Sequence, residues 1–149
     1  MRTSLLAAFL VITSAASAAA QNAGVRAGVS GSPDQFYFGL HYETEPLVER
    51  LRFKPNLEVG VGDSQTVVAI NLEFVGMFPI KNEPWTVYLG AGPALVIDRI
   101  NNNAVSNTNT GGGFNILLGV EHTKGLFTEL KVGMIDSPSV KFAVGYIFK

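Results

Sequence analysis

From Gly24 to Phe148 the chain divides into short stretches in which every second residue is apolar and uncharged, while the alternate residue is glycine, polar or charged. A period of two is the mark of a β-strand, whose side chains point alternately to opposite faces. The last stretch is the cleanest. Val140, Phe142, Val144, Tyr146 and Phe148 share one face, and Lys141, Ala143, Gly145 and Ile147 share the other. Read this way, the chain predicts eight strands near 23–30, 35–43, 50–62, 65–78, 85–97, 113–121, 126–134 and 139–148. Turn-forming residues separate them: Gly31-Ser32-Pro33-Asp34, Glu45-Pro46, Gly62-Asp63-Ser64, the segment from Pro79 to Pro84, Thr123-Lys124-Gly125 and Asp136-Ser137-Pro138. The one long connection runs from Arg99 to Gly112 and is rich in asparagine. Pro55 and Pro93 fall inside strands, where each removes a ladder donor, so a bulge or local break is expected at both.

The two faces differ in kind. One collects Val25, Phe36, Phe38, Leu40, Phe53, Leu57, Ile70, Leu72, Phe74, Trp85, Leu89, Phe114, Leu118, Leu130, Phe142 and their like, and carries no charge. Beyond Phe9, near the N-terminus, only Tyr37, Tyr88 and Phe127 among the aromatic residues depart from that face. The opposite face holds Arg26, Tyr37, His41, Arg52, Lys54, Glu58, Asn71, Glu73, Tyr88, Asn115, Glu121, Glu129, Lys131 and Lys141. It also holds Gly28, Gly39, Gly60, Gly62, Gly90, Gly92, Gly119, Gly133 and Gly145.

Ahead of the strands, Arg2 precedes an apolar run from Leu5 to Ile12, then small residues ending in Ala18-Ala19-Ala20 before Gln21. That order predicts a secretory signal peptide over 1–20, cleaved to leave a single domain over 21–149. The apolar run is well short of the ~20 residues of a spanning helix. Cysteine is absent, which excludes a disulfide framework, a thiolate metal site and lipoprotein processing. The formal net charge of −1 provides no basic field, so no nucleic-acid partner is expected. Charged residues are 15% of the chain, against roughly 25% in a soluble domain.

An exported chain that is poor in charge and lacks helix-length apolar segments has one route into a bilayer, because lipid demands that every backbone N–H and C=O be paired within the protein. The prediction is an all-β, eight-stranded, antiparallel, up-and-down transmembrane barrel with grease outside and ions within. Eight strands enclose only enough space for side chains. Long Arg, Lys and Glu fit there if many neighbours are glycine, and they must pair to tolerate burial. A plugged barrel is expected. The rival is a soluble periplasmic lipocalin-like barrel with the apolar face turned inward around a ligand. That face is too bulky for an eight-stranded lumen, and nine glycines on a solvated exterior would weaken the strands.

The segment Pro84-Trp85-Thr86-Val87-Tyr88-Leu89-Gly90-Ala91-Gly92 resembles a strand that recurs in small bacterial outer-membrane barrels of the OmpA, OmpX and opacity-protein type. The closing strand through Tyr146 and Phe148 is similar to their C-terminal signal, although Lys149 follows where those chains end on the aromatic. The resemblance implies the outer membrane of a Gram-negative bacterium. It implies outer-membrane lipids, lipopolysaccharide and the barrel-insertion machinery as partners, with a structural or surface-interaction role that is porin-like only in architecture. Narrow channels and lipid-modifying enzymes share this architecture and stand as alternatives.

Candidate chemistry is sparse, and neither catalytic, cofactor nor metal residues are assigned. Lipid A deacylases place a histidine two residues before a serine, with an acidic partner farther on. The nearest match here is His122-Thr123-Lys124 with Glu129, which departs in nucleophile and spacing. His41 lacks a second histidine or cysteine at ligand spacing. Gly60-Val61-Gly62 and Gly90-Ala91-Gly92 lack the helix that a phosphate loop needs. Glu58, Glu73, Glu121 and Glu129 share their face with Arg52, Lys54 and Lys131, which predicts salt bridges rather than acid–base catalysis. The segment Asn101 to Thr110 is read as a solvated loop whose extracellular partner the sequence does not specify.

Overall fold

The computed structural model describes residues 22–102 and 105–149, apart from the side chain of Asn102. The predicted signal peptide lies outside the described residues. Eight strands follow in chain order: β1 Ala23–Gly31, β2 Gln35–Tyr42, β3 Leu51–Gly62, β4 Gln65–Pro79, β5 Trp85–Asn102, β6 Val105–His122, β7 Leu126–Ile135 and β8 Val140–Ile147. Each pairs antiparallel with its neighbours, and β1 pairs with β8, from Gly24↔Ile147 to Gly31↔Val140, to close the barrel. Closure leaves no sheet edge within the wall, so backbone groups there find partners in the next strand except beside Pro55 and Pro93.

Turn chemistry sets the register. Asp63-Ser64 forms a two-residue connection between Gly62↔Gln65, with Ser64 at φ 61°. Thr123-Lys124-Gly125 is a three-residue connection whose third member, Gly125, sits at φ +100°, the left-handed position that such turns reserve for glycine. A side chain there would also run into the Ile147 carbonyl.

One expectation is corrected, and the expected local breaks at the prolines are found. The segment from Arg99 to Gly112 is not a long loop: β5 and β6 remain paired from Trp85↔His122 up to Asn102↔Val105. The sequence reads as loop there because alternation of apolar and polar residues is needed only where one face meets lipid. Above that band both faces meet water, and the β-branched Thr108, Thr110 and Val105 suit a polar ladder. The prolines break ladders without bulges. At Pro55 the β2 ladder stops at His41↔Asn56 and resumes where the Thr44 amide donates to the Phe53 carbonyl at 3.0 Å, in unchanged register. At Pro93 the β4–β5 pairing stops at Asn71↔Ala94 and resumes at Phe74↔Ala91, again without a shift.

The two faces separate as expected. Phe36, Leu40, Leu72, Phe142 and Val144 are exposed, while Lys54, Glu73, Asn71 and Asn115 are fully buried. Leu72 and Glu73 are adjacent, and their exposures of 44% and 0% decide the orientation. An inward-facing apolar lumen of the lipocalin kind is thereby ruled out. Tyr42, Phe78, Trp85, Tyr146 and Phe148 gather at the end of the barrel where β1 begins and β8 finishes. Such a ring suits a membrane–water interface, where amphipathic aromatics settle.

Candidate functional site

The interior is where the charged chemistry of this chain converges. β3 contributes Glu58, which accepts from three strands: Arg26 Nη1 of β1 at 3.2 Å, Lys131 Nζ of β7 at 3.2 Å, and Lys141 Nζ of β8 in a very short contact. Glu129 of β7 accepts from Arg26 at 2.9 Å and from the Tyr88 hydroxyl at 2.9 Å. Glu73 of β4 accepts from Lys131 at 2.7 Å and from Asn56 Nδ2 at 2.7 Å. An amide relay extends sideways as Asn115 donates to Asn71 at 2.8 Å and Asn71 to Asn56 at 2.7 Å. All of these groups are buried, so the three carboxylates and three cations compensate one another where water cannot. The predicted partners Arg52 and Lys54 lie nearer the end that bears the aromatic ring, where they reach Glu43 at 2.7 and 3.6 Å.

Aromatic residues pack among these ions. Lys54 Nζ lies 4.3 Å from the centre of the Tyr88 ring and 4.9 Å from that of Phe127, two cation–π contacts in a desolvated space. Phe127 also meets His41 edge-on, with ring centres 5.1 Å apart. The three aromatics that depart from the outer face each lie opposite glycine: Tyr37 beside Gly28 and Gly60, Tyr88 beside Gly119, Phe127 beside Gly145. A Cβ on Gly119 would overlap the Tyr88 phenol, and one on Gly145 the Phe127 ring. Glycine therefore makes room for a neighbour's ring as well as for the ions. Gly119→Ala is expected to displace Tyr88 from Glu129 and cost about 1–3 kcal/mol through overpacking, seen as a lower urea midpoint for the refolded protein in micelles.

Near the end that bears the aromatic ring, Lys149 Nζ reaches Glu121 at 2.6 Å, so the residue that follows Phe148 ties β8 to β6. Glu43 is buried beside it, and burial raises its carboxyl above the ordinary range, with Lys54 opposing that rise and Glu121 adding to it. Its position was legible, because Glu43 lies within the strand predicted over 35–43 and continues the alternation of His41. Asn56 was legible in the same way, between Lys54 and Glu58.

The remaining candidates are not assembled. His122 faces outward, edge-on to Trp85 with ring centres 4.7 Å apart, and its Nδ1 accepts from the Lys124 amide at 3.1 Å. Glu129 points into the barrel, so the wall separates the two, and the deacylase-like arrangement does not form. His41 has no carboxylate or second histidine that would complete a metal site, and no cluster of three such ligands occurs among the described residues. Gly60, Gly62, Gly90 and Gly92 are strand residues.

No family model matches the chain, and no curated protein does. Solved structures do resemble it. Neisserial surface protein A (NspA) superposes with a TM-score of 0.64 at 17% identity, covering 85% of this chain and 94% of that one. The N-terminal β-barrel domain of Pseudomonas aeruginosa OprF gives 0.60 at 15% identity, over 84% and 95%. The outer membrane enzyme PagL gives 0.51 at 12%, over 83% and 97%. An apolar exterior, an ion-paired lumen and this likeness together give the chain the fold of the small eight-stranded outer-membrane barrels.

Proposed function

We propose that this protein resides in a bacterial outer membrane as a structural or surface-interaction barrel, plugged and without catalysis. The observation that carries the reading is the lumen itself. Glu58 is bound at once by cations from β1, β7 and β8, so the ion network crosses the full width of the barrel. A conducting pore needs a continuous water path, and this cross-section is occupied by paired charges, amides and rings. The outward position of His122, away from Glu129, supports a role that does not depend on hydrolysis.

In this reading residues 1–20 direct export, and the end carrying Tyr42, Trp85 and Tyr146 faces the periplasm. The β5–β6 hairpin then projects from the cell, as longer connections do in such barrels. Outer-membrane lipids and lipopolysaccharide solvate Phe36, Leu40 and their neighbours, and the insertion machinery reads β8. Refolded protein in planar bilayers is expected to show no steady ion current, and a stable conductance at neutral pH would refute the plug. Cell fractionation is expected to retain the protein in the outer membrane through carbonate washing, with heat-modifiable gel mobility. Release into the periplasmic fraction would refute the location.

A further inference from the structure

Above the ion network, at the end opposite the aromatic ring, the lumen opens into a cavity of about 370 Å³. Its floor is apolar. Val67 and Val96, each 5% exposed, pack with Ala94 as a buried cluster separate from the charged network below. Its rim is acidic. Asp98 of β5 and Asp136 of the β7–β8 turn both line it, with Gln65 and Asn109, and no lysine or arginine does so among the described residues. Asp98 is held in place, since its Oδ2 accepts from Gln65 Nε2 at 2.7 Å. Its Oδ1 is buried and has no protein donor among the described residues. Asp136 is positioned by Gly111, where any Cβ would overlap its carboxylate.

A buried carboxylate oxygen without a donor is costly to leave unmatched. A volume in the range of organic-ligand pockets, with an apolar floor and a few convergent polar groups, is the form that small-molecule sites take. The two halves of the cavity call for two properties in one ligand: N–H donors with positive charge at the rim, and methylenes over the floor. A bare divalent ion supplies only the positive charge. Calcium takes 6–8 oxygen ligands, and it would leave Val67 and Val96 uncovered. We propose that this mouth is a binding site for an aliphatic ammonium ion, the ammonium donating to Asp98 Oδ1 and Asp136 while its alkyl chain lies on Val67 and Val96. The ammonium carries three donors on a flexible stem, so it fits whether it belongs to a free alkylamine or to a lysine side chain. The proposal rests on the outward orientation given above and assigns a ligand class to the surface-interaction role.

The test uses refolded protein in micelles, its valine methyls labelled, titrated with n-pentylammonium chloride and separately with Nα-acetyl-lysine methylamide. Saturable shifts of Val67 and Val96 with either probe are expected, and the tighter probe identifies the source. Asp98→Asn, which keeps an acceptor for Gln65, is expected to weaken binding about tenfold or more, as loss of a charged hydrogen bond does. Asp136→Asn, at an exposed turn where folding is not at stake, is expected to weaken it by a smaller factor. Still methyls with both probes would overturn the proposal. So would equal shifts with n-pentanol, equal affinity in both variants, or saturable calcium binding that excludes the amine. Planar-bilayer conductance keeps the two readings apart: a silent pore without amine binding removes the site alone, and a conducting pore with amine binding removes the plug alone.

Discussion

Glu58→Gln is expected to lower the unfolding free energy by about 3–5 kcal/mol, the cost of breaking a buried ion pair by removing one partner. The size follows from what is left behind. Arg26 keeps Glu129 at 2.9 Å and Lys131 keeps Glu73 at 2.7 Å, but Lys141 has no other carboxylate within salt-bridge distance among the described residues. An ammonium at 3% exposure would then face a neutral amide in a site that water does not reach. Neutralising both members should restore much of the loss, since well-packed neutral replacements of buried pairs are often neutral or stabilising. Glu58→Gln with Lys141→Met is therefore expected to be more stable than Glu58→Gln alone. Urea titrations of the refolded variants, followed by tryptophan fluorescence from Trp85, measure both. A loss below about 1 kcal/mol for the single variant, on the scale of a surface pair, would show that the network is not a closed one.

Val144→Arg is expected to destabilise the inserted barrel by about 2–4 kcal/mol, the range for a cation near the bilayer midplane on the lipid side. Val144 lies in the middle of β8, half exposed at 51%, between Thr128 of β7 and Ala27 of β1. Neither neighbour offers a carboxylate, and Glu129 and Glu58 lie on the far side of the wall. Val144→Leu at the same place should stay within about 0.5 kcal/mol, as substitutions at such exposed sites usually do. Equal folding yield for the two in lipid vesicles would mean that Val144 does not face acyl chains.

The strands and their faces were readable because membrane and lumen impose opposite demands on alternate residues. At Leu72-Glu73 and Lys141-Phe142 a one-residue slip would send charge to the outer face and grease into the lumen. The β5–β6 hairpin above the membrane was not readable by that test. Ser106, Asn107, Thr108 and Asn109 are polar on both faces, and only pairing with Ile100 and its neighbours shows them to be strand. The mouth cavity was hidden for a related reason. Gln65, Asp98 and Asp136 come from β4, β5 and the β7–β8 turn, and nothing local to any of them marks a shared space.

By itself, the sequence determined strand number, side-chain orientation and the ionic character of the lumen, because alternation is a local property that each strand carries independently. Tertiary structure alone decided which ions meet. Glu58 takes Arg26, Lys131 and Lys141 because barrel closure and strand stagger bring β1, β7 and β8 to its level, whereas Arg52 and Lys54 precede it on β3 itself and reach Glu43. Height along the axis is a sum over all the registers of the wall, and no single strand contains it.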